Sequence, residues 1–351
     1  MRPGSRRGTA RRAQTERSRE REGAWGCRRE NVRSNRRRRY ADVCEALGES
    51  GGPSRIAPGS DGGPCALPVP ARLAPAKVNL GLHVLRRRPD GFHDLATVFL
   101  PIGWADRLSA GPARRLAFSS DDPHLPTGAS NLVVRAAMAL RLWMGDSARG
   151  ATLRLEKNVP YGAGLGGGSS DAAAALRLLA ELWAVDIPEA DLHALALGLG
   201  SDVPFFLDGV PAHGTGRGER LAPLVGTDGA PYRCPFWLVV AVPPVHVSTA
   251  DAFARVTPAD HRRPDLAAAV ASNDLSRWRA EVTNDFQASV EAAEPTIGRT
   301  REALLAEGAG HAVLSGTGSA VVGVFEQEDV ARTAKRRLGK TCRVWVEAPA
   351  S

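Results

Sequence analysis

Twelve consecutive residues carry the densest chemical signal: Pro160, Tyr161, Gly162, Ala163, Gly164, Leu165, Gly166, Gly167, Gly168, Ser169, Ser170 and Asp171. Five of them, between positions 162 and 168, are glycine. With no side chains in the way, backbone N–H groups can turn inward and approach an anion closely. The Ala/Leu-rich stretch behind them has high helix propensity, with Leu176, Leu179 and Trp183 on one face, so a helix is expected over 171–183. Ser169 or Ser170 is expected to cap it. A glycine turn at a helix N-terminus is a phosphate site. Two common phosphate signatures fit poorly. Gly162-x-Gly164-x-x-Gly167 has the dinucleotide spacing, but the preceding strand alternates polar and apolar and no second strand follows about 20 residues on. No lysine follows the glycines, as a Walker A loop requires. A plain flexible linker leaves the strongly nucleated helix unexplained.

Two charged residues far from this loop also stand out. The chain has four lysines, at 77, 157, 335 and 340, against 42 arginines. In such a composition an ordinary solvated position would carry Arg. Lys77 lies in an alternating stretch, with Asn79, Gly81 and His83 opposite Val78, Leu80, Leu82 and Val84. That is a half-buried strand whose polar face either meets water or lines a site. Asp202 sits between Gly200-Ser201 and Val203-Pro204, where an Asp before Pro commonly caps a turn or helix.

Positioning these groups requires a scaffold of mixed strands and helices. The turn Pro89-Asp90-Gly91 joins the Lys77 strand to another over 92–100. A helix is expected over 131–143, a strand over 151–157, and a helix over 188–199 after that of 171–183. A break at 223–231 precedes an apolar strand at 236–242. Helices over 264–280 and 286–306 follow, the second opened by Asn284-Asp285 as a cap. Short strands at 313–314 and 320–325 flank the turn Ser315-Gly316-Thr317-Gly318-Ser319. A helix at 332–338 and a strand at 343–347 complete the series. Without regular βαβ alternation, this order predicts an α+β protein of two domains, 67–230 and 231–351.

The net charge of +8 resides in the first 66 residues, which hold 16 Arg and 8 acidic residues. The other 285 residues balance at 30 basic and 30 acidic, so no polyanionic partner is indicated and a basic-armed nucleic-acid binder is disfavoured. Residues 1–66 read as a disordered Arg-rich leader, with no apolar segment of a secretory signal and too many acids for a transit peptide. No apolar run reaches the roughly 18 residues of a membrane span. The five cysteines have no metal-ligand spacing and fit reduced thiols in a cytoplasmic protein.

Taken together, the segments Ala74-Pro75-Ala76-Lys77-Val78-Asn79-Leu80, Asp90-Gly91-Phe92-His93, the loop at 160–170, Gly200-Ser201-Asp202-Val203-Pro204, Asn284-Asp285 and the turn at 315–319 resemble, in order and spacing, the GHMP kinase superfamily. The likeness is strongest to its branch acting on 4-diphosphocytidyl-2-C-methyl-D-erythritol. It covers about residues 70–347 and implies an N-terminal phosphate-loop domain and a C-terminal α/β sandwich domain. It implies ATP as phosphoryl donor, Mg²⁺ with ligands left open, a small-molecule alcohol as acceptor, and a monomer or homodimer. Homoserine or mevalonate would be the acceptor in sister branches. By the same resemblance Asp202 is the base, Lys77 the lysine beside the transferred group, and 160–170 with Asn131 the nucleotide site. Asn79, Phe92, His93, Thr249 and Phe253 would hold the substrate, its cytosine between aromatic rings. Phe92 stands where the family commonly has Tyr, which keeps stacking but loses a phenolic hydrogen bond. From their own surroundings alone, His93 reads as a turn-closing residue and Phe92 as a core residue, while an N-cap role fits Asn131 equally well.

Overall fold

The computed structural model describes residues 70–259 and 263–350. The expected leader at 1–66 lies outside the described residues. β1 (Ala71–Arg87) turns back into β2 (His93–Ala113), and the two pair antiparallel along most of their length. The turn is closed by the Asp90 carboxylate, which accepts the Phe92 N–H at 3.1 Å. β3 (Leu116–Ser120), α1 (Leu132–Met144) and β4 (Gly150–Glu156) follow. The glycine loop then leads into α2 (Gly167–Leu182), α3 (Glu189–Leu199), α4 (Val203–Asp208) and the hairpin of β5 (Ala212–Gly216) and β6 (Arg220–Pro223). The first sheet runs β3-β4-β2-β5-β6, with β1 also on β2. The remainder comprises β7 (Trp237–Val242), α5 (Thr249–Arg255), α6 (Leu266–Ala271), α7 (Leu275–Glu281), α8 (Gln287–Ala293), α9 (Pro295–Ala306), β8 (His311–Leu314), β9 (Val321–Phe325), α10 (Glu328–Leu338) and β10 (Arg343–Glu347). Its four strands form a second sheet, β10-β7-β9-β8, antiparallel throughout.

The core is continuous between the sheets. Val78 and Leu80 of β1 share one buried cluster with Val240 and Val322 of the second sheet and with Trp278. Leu82 and Val84 join a neighbouring cluster with Phe286 and Leu314. Burying these side chains is the main source of stability, each contributing about 1.5–3 kcal/mol before entropy is counted. Among the described residues no helix is long and apolar enough to cross a membrane.

Several expected elements differ. The helix expected over 264–280 is two, α6 and α7. Asn273 adopts φ 53°, and the Asp274 side chain caps the second by accepting the N–H groups of Ser276 and Arg277. The left-handed residue and the local cap together outweigh helix continuity. The helix over 286–306 is also two, because Pro295 lacks an N–H and drives Glu294 out of helical geometry. Asn284-Asp285 therefore precedes a helix that begins at Gln287. α2 starts at Gly167, with Gly166 at its N-cap in a left-handed conformation and no side-chain cap. Ser169 and Ser170 lie inside its first turn, so neither is the cap expected from the sequence. Strand β3 and the β5–β6 hairpin lay unforeseen in short, weakly patterned segments.

Candidate active site

Residues 76–84 of β1 are buried on both faces. The face bearing Lys77 (3% exposed) and Asn79 (1%) meets the glycine loop, not water. The backbone N–H of Lys77 donates to the Leu165 carbonyl at 3.0 Å, and its ammonium donates to Gly164 O at 2.9 Å and Asn79 Oδ1 at 2.5 Å. Asn79 is held in turn by Thr97, whose hydroxyl accepts from Nδ2 at 2.8 Å. Asp202 Oδ2 lies 3.8 Å from Lys77 Nζ. The Asp202 backbone stands at the start of α4, yet its side chain makes no capping bond. The carboxylate is about one-third exposed and faces the cavity. Burial pulls the Lys77 pKa below its ordinary 10.5, and the Asp202 charge partly opposes that shift.

The two glycine turns lock together. Ser315 Oγ accepts the Asn79 N–H at 3.1 Å and donates to the Gly164 carbonyl at 3.0 Å, while Ala320 N–H donates to Ala163 O at 3.0 Å. Asn284 Nδ2 donates to the carbonyls of Leu314 and Gly316, both at 2.8 Å, and Asp285 accepts the Val84 N–H at 2.8 Å. The Asn-Asp pair thus ties the second turn to β1. Gly164 (φ +77°) approaches so closely that a Cβ there would lie 2.2 Å from the Ser315 carbonyl oxygen. Gly164→Ala is therefore expected to cost roughly 1–3 kcal/mol in backbone strain alone, and more from the clash. It should lower both Tm and ATP affinity, whereas Gly128→Ala, with nothing within 4 Å, should change neither. A Gly164→Ala protein that melts and binds ATP like wild type would contradict this packing.

Lys77, Asn79, Phe92, His93, Tyr161, Gly162, Gly164, Gly166, Asp202, Thr249 and Phe253 line one cavity of about 870 Å³. Its far wall is aromatic. His93 stacks on Phe253, with centroids 5.1 Å apart, and Phe253 meets Phe286 edge-on. Burial and the nearby Arg87 charge lower the His93 pKa, favouring the neutral ring. Phe92 is 53% exposed at the rim, so it is not a core residue. The Thr249 hydroxyl lies 3.3 Å from that of Thr317.

The other expected residues lie around the loop. Pro160, Ala163, Leu165, Gly167, Gly168 and Ser169 line a small groove with Tyr161 and three of the cavity's glycines. Asn131 lines a neighbouring pocket beside Lys157 and Asp171. Its side chain caps α1, accepting the Val133 N–H and donating to the Pro126 carbonyl, both at 2.9 Å. Ser170 is buried, and its hydroxyl has no hydrogen-bond partner.

Sequence reasoning passed over three groups. Lys157 is buried and ion-paired to both Asp106 and Asp171. Asp106 also accepts the N–H groups of Asn158 and Val159, anchoring the loop's first residues. Burial raises the Asp171 pKa to about 7 despite Lys157. His246 packs its ring against Gly162. Arg217 stacks over Phe92 at the cavity mouth. The scarcity of lysine was a usable signal for Lys157; nothing in the local sequence marked the other two.

A left-handed glycine loop on a helix N-terminus, cross-locked to a second glycine turn and placed on this two-sheet α+β scaffold, is the architecture of a GHMP kinase. The GHMP kinases N terminal domain matches residues 131–210, and the GHMP kinases C terminal domain matches 266–344. A curated 4-diphosphocytidyl-2-C-methyl-D-erythritol kinase of Salinibacter ruber is 54% identical over 269 residues, covering 76% of this chain and 94% of that protein. One from Prosthecochloris aestuarii is 42% identical, covering 76% and 93%. A crystal structure of 4-(cytidine 5'-diphospho)-2C-methyl-D-erythritol kinase superposes with a TM-score of 0.66 at 37% identity, covering 80% of this chain and 99% of that one. The chain belongs to the 4-diphosphocytidyl-2-C-methyl-D-erythritol kinase family. A Methanococcus jannaschii mevalonate kinase shares the fold at TM-score 0.62 with 11% identity.

Proposed function

We propose that the protein transfers the γ-phosphoryl group of ATP to the 2-hydroxyl of 4-diphosphocytidyl-2-C-methyl-D-erythritol, in the cytoplasm, on the non-mevalonate route to isoprenoid precursors. One observation carries the reading: the Lys77–Asp202 pair closes the cavity where the glycine loop ends. The left-handed loop and the N-terminus of α2 cradle the phosphates. The aromatic wall of Phe92, His93 and Phe253 receives the cytosine, with a His93 ring nitrogen bonding its edge. Residues 67–230 would form the ATP-binding domain and 231–351 the domain that supplies Thr249, Phe253 and the second glycine turn.

In the transfer itself, the substrate oxygen attacks the γ-phosphorus in line with the bridging oxygen of ADP. The new O–P bond forms as the old one breaks, and the hydroxyl proton passes to Asp202. Lys77 holds that carboxylate in place and offsets the charge on the transferring group. Among the described residues no group of three His, Cys, Asp or Glu could hold a metal ion. A Mg²⁺ arriving with ATP would be met at the loop by Ser169, which lines the groove there, whereas the Ser170 hydroxyl is buried beneath it. When bound, the ion neutralises phosphate charge.

The test is ADP release by the purified protein with the cytidine-diphosphate-linked erythritol, beside homoserine and mevalonate. Turnover with the first alone is expected. Preference for either of the others would reject the assignment.

A further inference from the structure

Arg217 is held out at the tip of the β5–β6 hairpin. Thr215 pairs with Arg220 across it. The residues between carry left-handed glycines at Gly216 (φ +69°) and Gly218 (φ +98°) on either side of Arg217. Glu219 accepts the Arg217 N–H, and Gly218 N–H donates to Thr215 O at 3.1 Å, so the tip is closed by its own hydrogen bonds. The backbone there borders the reacting end of the cavity: a Cβ on Gly218 would lie 3.9 Å from Asp202 Oδ1. The guanidinium lies at the other end, 4.8 Å from the Phe92 ring centroid. The Arg217 side chain thus spans the interval between the aromatic wall and Asp202.

Charge accounting points the same way. Among the described residues, Lys77 and Arg217 are the two permanent cations lining the cavity. Lys77 is engaged by Asn79, Gly164 and Asp202. Asp90 feels the Arg217 charge, but its oxygens are held by Arg88. With one face on Phe92, the guanidinium still has its edge N–H donors for a ligand. A planar fork of donors matches two phosphate oxygens better than any neutral group.

We propose that Arg217 is the residue that binds the diphosphate linker of the substrate, fixing the distance between its base and its reacting hydroxyl. This rests on the substrate reading above and adds a specificity determinant to it. The linker carries the substrate's negative charge and must lie between the aromatic wall and Asp202, the interval the Arg217 side chain occupies.

The test is calorimetric titration with cytidine and with CDP, each with the ATP site saturated by a non-hydrolysable analogue. Wild type is compared with Arg217→Met, which keeps apolar contact with Phe92, and with Arg217→Lys. Wild type should prefer CDP to cytidine. Arg217→Met should reduce that preference about tenfold or more, leave cytidine and ATP affinity nearly unchanged, and Arg217→Lys should restore part of it. An unchanged CDP-to-cytidine ratio in Arg217→Met would overturn the proposal. So would an equal loss on both ligands, which would place Arg217 on the base. Wild type that binds neither cytidine nor CDP would instead reject the cytidine-linked substrate, and the role of Arg217 with it.

Discussion

Asp202→Asn is expected to lower kcat by about 10²–10⁴-fold, the range ascribed to a positioned proton acceptor, with little change in KM for either substrate. The replacement preserves shape and removes only the capacity to take a proton. Three features of the site set the size of the effect. The carboxylate is not spent on capping α4, it faces the cavity, and it lies 3.8 Å from the Lys77 ammonium. The substitution also takes the counter-charge from the buried Lys77 ammonium, so a modest loss of stability should accompany the loss of kcat. A variant with near-normal kcat would remove Asp202 from the chemistry.

Lys77→Met is expected to reduce kcat by about 10²–10³-fold, comparable to losing one preorganised charge or donor from a transition-state site. It should also change the pH profile. The Lys77 pKa is lowered by burial, so the folded protein loses this proton below pH 10.5, before the unfolded chain does. Activity that needs the ammonium therefore falls as pH rises through that lowered value. Stability moves oppositely: between the folded value and 10.5 the unfolded chain binds more protons, so this group's contribution rises with pH. Lys77→Arg, which stays charged throughout, should abolish the alkaline fall in whatever activity it retains. An alkaline limb unchanged in Lys77→Arg would assign it to another group.

How much of this could be read beforehand varies with the range of the interaction responsible. Alternation along 77–80 separated the two faces of β1 correctly, because pleat direction is a local property. A bulge between Asn79 and Leu82, at left-handed Gly81, breaks the alternation and brings Leu82 and Val84 to the Lys77 face. Alternation could not say whether the polar face met water. That depended on docking by a loop almost 90 residues later, and only the scarcity of lysine hinted at the outcome. The glycine loop was legible because its composition has few other uses. Its helix, however, begins at Gly167, against local propensity, since contacts to Lys77 and the second turn fix the backbone that glycine alone would leave free. Pro295 and the Ser272-Asn273-Asp274 turn were visible in the sequence, yet hydrophobic periodicity masked both breaks. Arg217 escaped because a hairpin of five- and four-residue strands gives too short a pattern, and Phe92, its partner, lies more than 120 positions away.

The arrangement also explains why the site needs both sheets. β1 carries Lys77 and Asn79, while the second glycine turn comes from the segment between β8 and β9, and the Ser315 hydroxyl joins them. Loss of that hydroxyl would take the Ser315 partner from the Asn79 N–H and leave the Gly164 carbonyl to the Lys77 ammonium alone, within a buried junction where unmade hydrogen bonds are costly.

The most direct measurement is a crystal structure of the ternary complex with a non-hydrolysable ATP analogue and 4-diphosphocytidyl-2-C-methyl-D-erythritol. The γ-phosphate should rest against the loop at 162–168, with the 2-hydroxyl about 3 Å from an Asp202 carboxylate oxygen. A triphosphate bound away from that loop, or a 2-hydroxyl beyond the reach of Asp202, would contradict the account.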